Sequence, residues 1–244
     1  MRLLIWVRSI IATLLMPVFV LFLGTLVVIS FYVFRRRSIE NYIIRLWGVW
    51  VCWFSGVEVK LHNQEVLPEG GYLLLFNHAS FFDIFALVDA VNGLRFGAKA
   101  ELFKIPVFAQ AMTIAGTLPI ARDNRQEVIR VYDEAKKRFA KGAKFALSPE
   151  GGRFYNPEKL SPFKSGPFIF AISSGAPIVP VVIHGAYEVL PKGEFLFNSR
   201  KWKSTIHIHF MNPVETASYG IEQRHQLMME TYEKMNAVWQ QKPD

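Results

Sequence analysis

The sequence predicts an α/β fold, with a mixed, largely parallel sheet flanked by helices and a membrane-embedded helical segment at the N-terminus. Two observations predict it. Residues 10–34 contain no charged side chain, and after about residue 57 short apolar runs alternate with amphipathic ones, the pattern of an α/β domain. A chain of 244 residues has room for one such domain. We therefore expect membrane-binding helices over residues 1–56 and a single domain over residues 57–244.

The first apolar segment is long enough to cross a membrane. As a helix, residues 10–34 would extend about 37 Å, against roughly 30 Å for a hydrocarbon core. A cleaved signal peptide has a shorter apolar region, of about 7 to 15 residues, and fits less well. Arg8 precedes the segment, arginines at 35–37 follow it, and Pro17 and Gly24 lie inside. Because this flanking charge is only weakly asymmetric, a tilted span and a kinked, half-inserted helix both fit.

The next segment, residues 42–54, is apolar except for Arg45. Its tryptophans Trp47, Trp50 and Trp53 are three residues apart, which places them along one side of a helix. Such a side is typical of a helix in the lipid headgroup region. The alternative is a helix buried in the core of the domain.

The chain carries a formal net charge of +8, which favours an anionic partner such as membrane lipid, a phosphate-bearing substrate or nucleic acid. No zinc-finger spacing, RNA-binding aromatic motif or basic arm supports nucleic acid. The arginines at 35–37 are better explained by contacts to anionic lipid, at about 1 kcal/mol each. The single cysteine, Cys52, excludes an intramolecular disulfide.

Short apolar runs predict the strands, and amphipathic runs predict the helices between them. The predicted strands are residues 57–61, 72–76, 95–98, 117–121, 144–147, 178–183 and 205–210. The clearest helix covers residues 125–141, with Asn124 and Glu127 as a capping pair and Gly142 as its stop. Its apolar stripe consists of Val128, Val131, Tyr132, Ala135 and Phe139. The last helix covers residues 221–240.

A histidine and an aspartate follow the second predicted strand. Five residues on an ideal helix differ by about 140° in direction, so His78 and Asp83 cannot share a face of one helix. The simple solution is a buried strand over residues 72–76, a turn, and a helix that begins near Ser80. The carboxylate on the first turn then reaches back to the imidazole. A histidine held by a carboxylate can take a proton from a hydroxyl group.

Further polar groups follow other strands, and the carboxyl ends of such strands form ligand sites. In residues 148–153, two glycines permit close approach of a ligand and Arg153 offers a two-pronged donor for phosphate. Arg122 and Lys99 also follow strands and add positive charge. The sequence therefore predicts one crevice that contains an acid–base pair and a phosphate site.

Four blocks of the sequence resemble the motifs of the glycerolipid acyltransferases, in the order of the bacterial PlsC-like 1-acyl-glycerol-3-phosphate acyltransferases. NHASFFD at 77–83 resembles the NHxxxxD motif and LSPEGGRF at 147–154 resembles the FPEGTR block. Residues 116–122 resemble the block that runs from Gly to Arg, and residues 178–183 the final VPV block. The segments 99–102 and 162–166 match as well. The resemblance covers about residues 57–212.

The resemblance implies transfer of an acyl group from acyl-CoA or acyl-carrier protein to the free hydroxyl of a lysophospholipid, with no further cofactor. His78 is then the general base, and Asp83 holds its tautomer and stabilises the imidazolium. Direct attack on the thioester fits a chain without a Gly-x-Ser-x-Gly motif. Backbone N–H groups near Gly151 are one possible set of oxyanion donors. The implied substrate-binding residues are Lys99, Arg122, Glu150, Gly151 and Arg153.

The chain departs from the family pattern at Gly152, where Thr is usual. Related enzymes with the same motifs acylate other lyso-lipids, including lyso-ornithine lipid. The motifs therefore imply the type of reaction more directly than the identity of the acceptor. The positive-inside tendency of the arginines at 35–37, together with where acyl donors are made, implies the cytoplasmic face of the inner membrane.

Two alternative functions explain parts of the sequence. A metal-dependent hydrolase would use His207 and His209, which alternate on a strand and share a face, and His184, which ends another. No carboxylate or cysteine accompanies them at ligand spacing, so the sequence predicts no metal site. A non-catalytic membrane scaffold would explain the apolar N-terminus and the basic charge but leaves the groups around His78 without a role.

Overall fold

The computed structural model describes residues 2–121 and 125–243, with only the backbone described at residues 125 and 128. The strands are β1 (Val57–His62), β2 (Tyr72–Phe76), β3 (Leu94–Lys99), β4 (Leu118–Ile120), β5 (Lys144–Leu147), β6 (Ile178–His184) and β7 (Ser204–Phe210). The α-helices are α1 (Arg2–Val33), α2 (Arg37–Phe54), α3 (Phe82–Ala90), α4 (Phe108–Ala115), α5 (Arg125–Phe139), α6 (Gly166–Ser174), α7 (Ala186–Val189) and α8 (Arg224–Gln240).

The seven strands described form one sheet, in the order β1-β7-β6-β2-β5-β3-β4. Every neighbouring pair is parallel except β6 and β7, which are antiparallel. The mixed, largely parallel sheet predicted from the sequence is therefore confirmed. Because β2 lies in the middle and its five residues are all buried, its carboxyl end opens at the centre of the sheet edge.

Apolar side chains cover both faces of the sheet. On one face, Leu74 and Phe76 of β2 pack with α2, α3 and the buried side of β7. On the other face, Leu73 and Leu75 pack with α5, α6 and α8. The alternation of β2 side chains between two covered faces explains why this strand reads as a continuous apolar run.

The predicted strands are all present, and their ends differ by at most one residue. Three predicted helix ends are wrong by two or three residues: α3 begins at Phe82 rather than near Ser80, α5 ends at Phe139, where the chain turns toward Gly142 at φ +80°, and α8 begins at Arg224, after a 3₁₀ turn at Ile221–Gln223. The predicted cap Asn124 and the side chain of Val128 lie outside the part of the chain that is described. The other stripe residues of α5 are buried or partly buried against the sheet.

Helix α1 runs without interruption through Pro17 and lies along the domain. Near its start, Arg8 Nη2 donates to the carbonyl oxygens of Asn198 and Lys201, at 2.8 and 2.9 Å. Further along, a Cβ built at Gly24 would be 3.5 Å from the Ala111 side chain of α4. The contacts therefore extend over about 24 Å of helix. By length and composition, α1 is the one candidate membrane span within the described ranges.

The three tryptophans of α2 do not share one environment. The Trp47 ring packs edge-on against Phe85 of α3, with ring centroids 4.9 Å apart, whereas Trp53 is 68% exposed. The prediction of a single tryptophan face is wrong because steps of three residues turn by about 60° each, so Trp47 and Trp53 differ by about 120°. One end of the series belongs to the core, and the other faces outward.

Candidate active site

His78 and Asp83 form a hydrogen-bonded pair at the carboxyl end of β2. The Nδ1 atom of His78 lies 2.9 Å from Oδ2 of Asp83. The carboxylate is fully buried, while the imidazole is 16% exposed. Because the carboxylate accepts from Nδ1–H, the Nε2 atom carries the lone pair and is free to accept a proton from a substrate. The predicted return of Asp83 from the first turn of α3 to the imidazole is confirmed.

The turn before α3 holds the aspartate in place. The backbone N–H groups of Ala79 and Ser80 each donate to Asp83 Oδ2, at 2.8 Å. The Ser80 hydroxyl in turn donates to the carbonyl oxygen of Leu190 at 2.9 Å. The start of α3 at Phe82 follows from this arrangement, since residues 79 and 80 donate to a side chain and lie outside the helix.

Asn77 joins the histidine turn to the neighbouring strand. Its side-chain amide donates to the carbonyl oxygen of Ile183 at 2.9 Å and accepts from the Ile183 N–H at 2.7 Å. These two bonds continue the β2–β6 ladder by one residue after β2 has ended. The sequence reasoning assigned no role to Asn77, although its place at the head of the NHxxxxD-like block was a usable signal.

Glu150 links the two sequence motifs through the backbone of His78. The backbone N–H of His78 donates to Glu150 Oε1 at 3.1 Å, and the glutamate is 3% exposed. Burial raises the pKa of Glu150 to about 8; the charge of Asp83 adds to this, while the His78 N–H and the Ser161 hydroxyl act in the opposite direction. A neutral carboxylic acid is therefore the main form at pH 7. The structure favours a supporting role for Glu150 over the predicted direct contact with substrate.

Gly151 lies beneath a lysine that the sequence reasoning did not single out. Its φ is +73°, and a Cβ built there would be within 3.0 Å of the Lys164 side chain, including Nζ. Gly151 is therefore required both by the backbone and by the close approach of Lys164. The Gly151 N–H donates to the Ser148 carbonyl at 3.2 Å, which weakens the prediction that it serves as an oxyanion donor.

Arg153 lies beside the histidine turn. The Phe154 N–H donates to the carbonyl oxygen of His78 at 2.8 Å, which ties this segment to the catalytic turn. The Arg153 guanidinium stacks on the ring of Phe81, 3.9 Å from its centroid. In the described part of the chain no carboxylate pairs with Arg153, so its donors are available to a ligand. At Gly152, a Cβ would be 2.8 Å from the Phe154 ring.

Of the two remaining predicted substrate residues, only Lys99 is described, and it is not brought to the pair. Lys99 is exposed at the end of β3, and β5 lies between β3 and β2, so the two strand axes are about 10 Å apart. Arg122 lies outside the described residues, two positions beyond the end of β4. Of the seven predicted site residues, the structure brings together His78, Asp83, Glu150, Gly151 and Arg153.

This arrangement matches a known family. The model of the family described as Acyltransferase matches residues 58–184, which include the histidine turn and the Glu150 segment. The chain belongs to the acyltransferase family. Its membership covers the sheet from β1 to the end of β6, so the predicted family resemblance is confirmed.

Relatives in this family carry a common name. A chloroplastic 1-acyl-sn-glycerol-3-phosphate acyltransferase of Brassica napus is 29% identical over 175 residues, which are 70% of this chain and 50% of the relative. The 1-acyl-sn-glycerol-3-phosphate acyltransferase of Helicobacter pylori is 28% identical over 171 residues, 70% of this chain and 71% of the relative. The chain thus spans about half the length of the first of these relatives and more of the bacterial one.

A solved structure has the same fold. The crystal structure of the 1-acyl-sn-glycerophosphate acyltransferase PlsC from Thermotoga maritima superposes with a TM-score of 0.75. The match covers 96% of this chain and 97% of the other, at 23% sequence identity. The likeness therefore includes the N-terminal helices as well as the sheet.

Proposed function

We propose that this protein transfers a fatty acyl group from acyl-CoA or acyl-carrier protein to the free hydroxyl of 1-acyl-glycerol-3-phosphate, giving phosphatidic acid. The observation that carries the proposal is the 2.9 Å bond between His78 and a buried Asp83 within the family domain. The names of the relatives support the acceptor. No cofactor beyond the acyl donor enters the proposed reaction.

The proposed chemistry is a direct acyl transfer. His78 Nε2 takes the proton of the acceptor hydroxyl as its oxygen attacks the thioester carbonyl carbon. The tetrahedral intermediate collapses, the C–S bond breaks, and the imidazolium returns the proton to the leaving thiolate. Asp83 holds the Nδ1–H tautomer throughout and stabilises the imidazolium between the two steps. The proton ends on the released thiol and the acyl group on the acceptor oxygen, so the reaction needs no acyl-enzyme.

The acceptor's phosphate would bind beside the histidine. Arg153 offers a planar donor whose face is already occupied by Phe81, which leaves the N–H edge for phosphate oxygens. Lys164 adds a point charge above Gly151. We also propose that Lys99 and Arg122 add to the positive charge that attracts the phosphate.

We propose that residues 1–56 bind the membrane and residues 57–244 form the catalytic domain. Along α1, large apolar side chains such as Leu14, Val18 and Phe22 are exposed on the side away from the domain. Since the opposite side of α1 contacts the domain from Arg8 to Gly24, a helix lying in one leaflet accounts for both faces better than an upright span. We propose that this membrane is the inner membrane and that the domain lies on its cytoplasmic face.

The test is acyl transfer by the full chain in detergent, with 1-acyl-glycerol-3-phosphate and each donor type. His78→Ala should lower kcat by about 10²- to 10⁴-fold, the usual contribution of a positioned general base. The matched control is His225→Ala, an exposed histidine on α8, which should keep full activity. Equal activity of wild type and His78→Ala would remove the histidine from its role, and an inactive wild type would favour the membrane scaffold.

The phosphate contact has its own test. Arg153→Ala should raise the KM for the acceptor at least tenfold and leave the melting temperature unchanged, because the guanidinium contacts an exposed ring rather than the core. Lys159→Ala, which removes an exposed cation six residues after Arg153, is the control. Unchanged kinetics with lower stability would make Arg153 a structural residue.

A second acceptor is supported by one specific observation. A Cβ built at Gly152 would lie 2.8 Å from the Phe154 ring, so the ring occupies space that a threonine would need at this position. Lyso-ornithine lipid or another lyso-lipid then becomes the candidate acceptor for the same reaction. A panel of lyso-lipids with both donors distinguishes the two: the preferred acceptor is the one with the highest kcat/KM.

A further inference from the structure

Three histidines meet at the far edge of the sheet. His62 ends the edge strand β1, and His207 and His209 alternate along β7. In the parallel register His62 is opposite His209. Residues opposite each other point to the same face, so all three imidazoles lie on one face of the sheet. The sequence placed only His207 and His209 together, because nothing in the spacing pairs β1 with β7.

The face is the one that α8 covers. In the antiparallel register His184 is opposite His207, and the His184 ring stacks on Trp239 of α8 with centroids 4.7 Å apart. Ile206 and Ile208, which alternate with the histidines along β7, are buried on the other face. The three-histidine cluster is therefore partly covered and partly open, since each of its members is half-buried.

The donor atoms of the cluster are close enough to share one ion. One ring nitrogen from each of His62, His207 and His209 lies within 4.8 Å of the others. A tetrahedral Zn²⁺ with Zn–N bonds of 2.0–2.1 Å needs nitrogens about 3.4 Å apart. The three rings are nearly parallel, with interplanar angles of 5–14° and centroids 4.2–6.3 Å apart, so ligation requires the imidazoles to rotate from these positions. His62 Nε2 already lies 3.0 Å from His207 Nδ1.

One ring nitrogen of the cluster has no hydrogen-bond partner among the described residues. The His209 Nε2 atom is buried and has no hydrogen-bond partner in the described structure, which is unusual for a polar atom.

We propose that His62, His207 and His209 form a binding site for a divalent transition-metal ion, with water as the fourth ligand. An all-nitrogen donor set selects Zn²⁺ and its borderline neighbours over Mg²⁺ and Ca²⁺, which take oxygen ligands. The site is separate from the proposed catalytic pair, because β6 and β7 lie between β1 and β2. A bound ion would join the edge strand β1 to β7 through side chains.

The test is metal binding by the full chain in detergent, after removal of any purification tag and treatment with a chelator. Zn²⁺ is titrated against a chromophoric chelator. We expect one tight equivalent of Zn²⁺, no comparable binding of Mg²⁺, and a rise in melting temperature with Zn²⁺. Co²⁺ should give the visible bands of a tetrahedral site in the wild type.

Three variants and two controls locate the ion. His62→Gln, His207→Gln and His209→Gln should each raise the Kd for Zn²⁺ at least tenfold and abolish the thermal shift. His225→Gln, which removes an exposed histidine, and His78→Ala, which removes the imidazole of the proposed catalytic pair, should leave the Kd unchanged. Absence of a tight equivalent in the wild type, an unchanged Kd in His62→Gln, or loss of binding in His78→Ala would overturn the proposal. The Co²⁺ bands of the wild type decide the case if a variant fails to fold.

Discussion

Glu150→Gln should remove a large part of the pH dependence of stability. The pKa of Glu150 is raised from its ordinary 4.5 to about 8 by burial. Between these values the folded protein holds the proton and the unfolded chain has lost it, so stability falls as pH rises. From pH 6 to pH 8 the loss is about 2 kcal/mol, which corresponds to about 4–8 °C in melting temperature for a chain of this size. Glutamine cannot ionise, so the variant should not lose this stability between pH 6 and pH 8.

The assay is thermal unfolding in detergent at pH 6, 7 and 8, followed by tryptophan fluorescence. The measured quantity is the difference between wild type and Glu150→Gln in the change of melting temperature with pH, because other groups titrate equally in both. Glu69→Gln, at an exposed position, is the control and should follow the wild type. An equal pH slope in wild type and Glu150→Gln would refute a neutral Glu150, and so would a Gln variant already strongly destabilised at pH 6.

Two further predictions concern the chemistry. Asp83→Asn should lower kcat by about 10²-fold or more with little change in the acceptor KM, because its neutral amide oxygen, held at the Oδ2 position by the Ala79 and Ser80 N–H groups, would no longer stabilise the imidazolium; a loss below fivefold in steady-state kinetics would contradict this. Gly152→Thr should displace the Phe154 ring, 2.8 Å from the added Cβ, and change the ratio of kcat/KM between lyso-lipids at an unchanged melting temperature. A constant ratio across the lyso-lipid panel would separate Gly152 from acceptor choice.

Strand positions were predictable because each strand is a short apolar run between turn residues, and burial on one or both faces leaves that pattern in the sequence. The ends of α3 and α5 were less predictable. At α3, the Asp83 side chain accepts hydrogen bonds from the N–H groups of residues 79 and 80, so the helix begins later than the apolar pattern suggests. Such competition between side chain and backbone depends on geometry that spacing alone does not record.

One part of the candidate site was also predictable from the sequence, and another part was not. The motif spacing was sufficient to predict the His78–Asp83 bond, since the two residues are five apart and one strand end and one helix turn determine their meeting. The contact between Glu150 and the backbone of His78 joins residues 72 positions apart, and the placement of Lys164 over Gly151 arises from a loop that returns to the site. Neither follows from local pattern.

The sequence by itself determined the α/β class, the strands, the apolar N-terminal helix and the histidine–aspartate pair, because each depends on periodicity or on neighbours within a few residues. Only the tertiary structure decided that α1 lies along the domain, that Glu150 is a buried neutral acid, and that His62 joins His207 and His209. These depend on strand order and on burial, which arise when segments distant in sequence pack together.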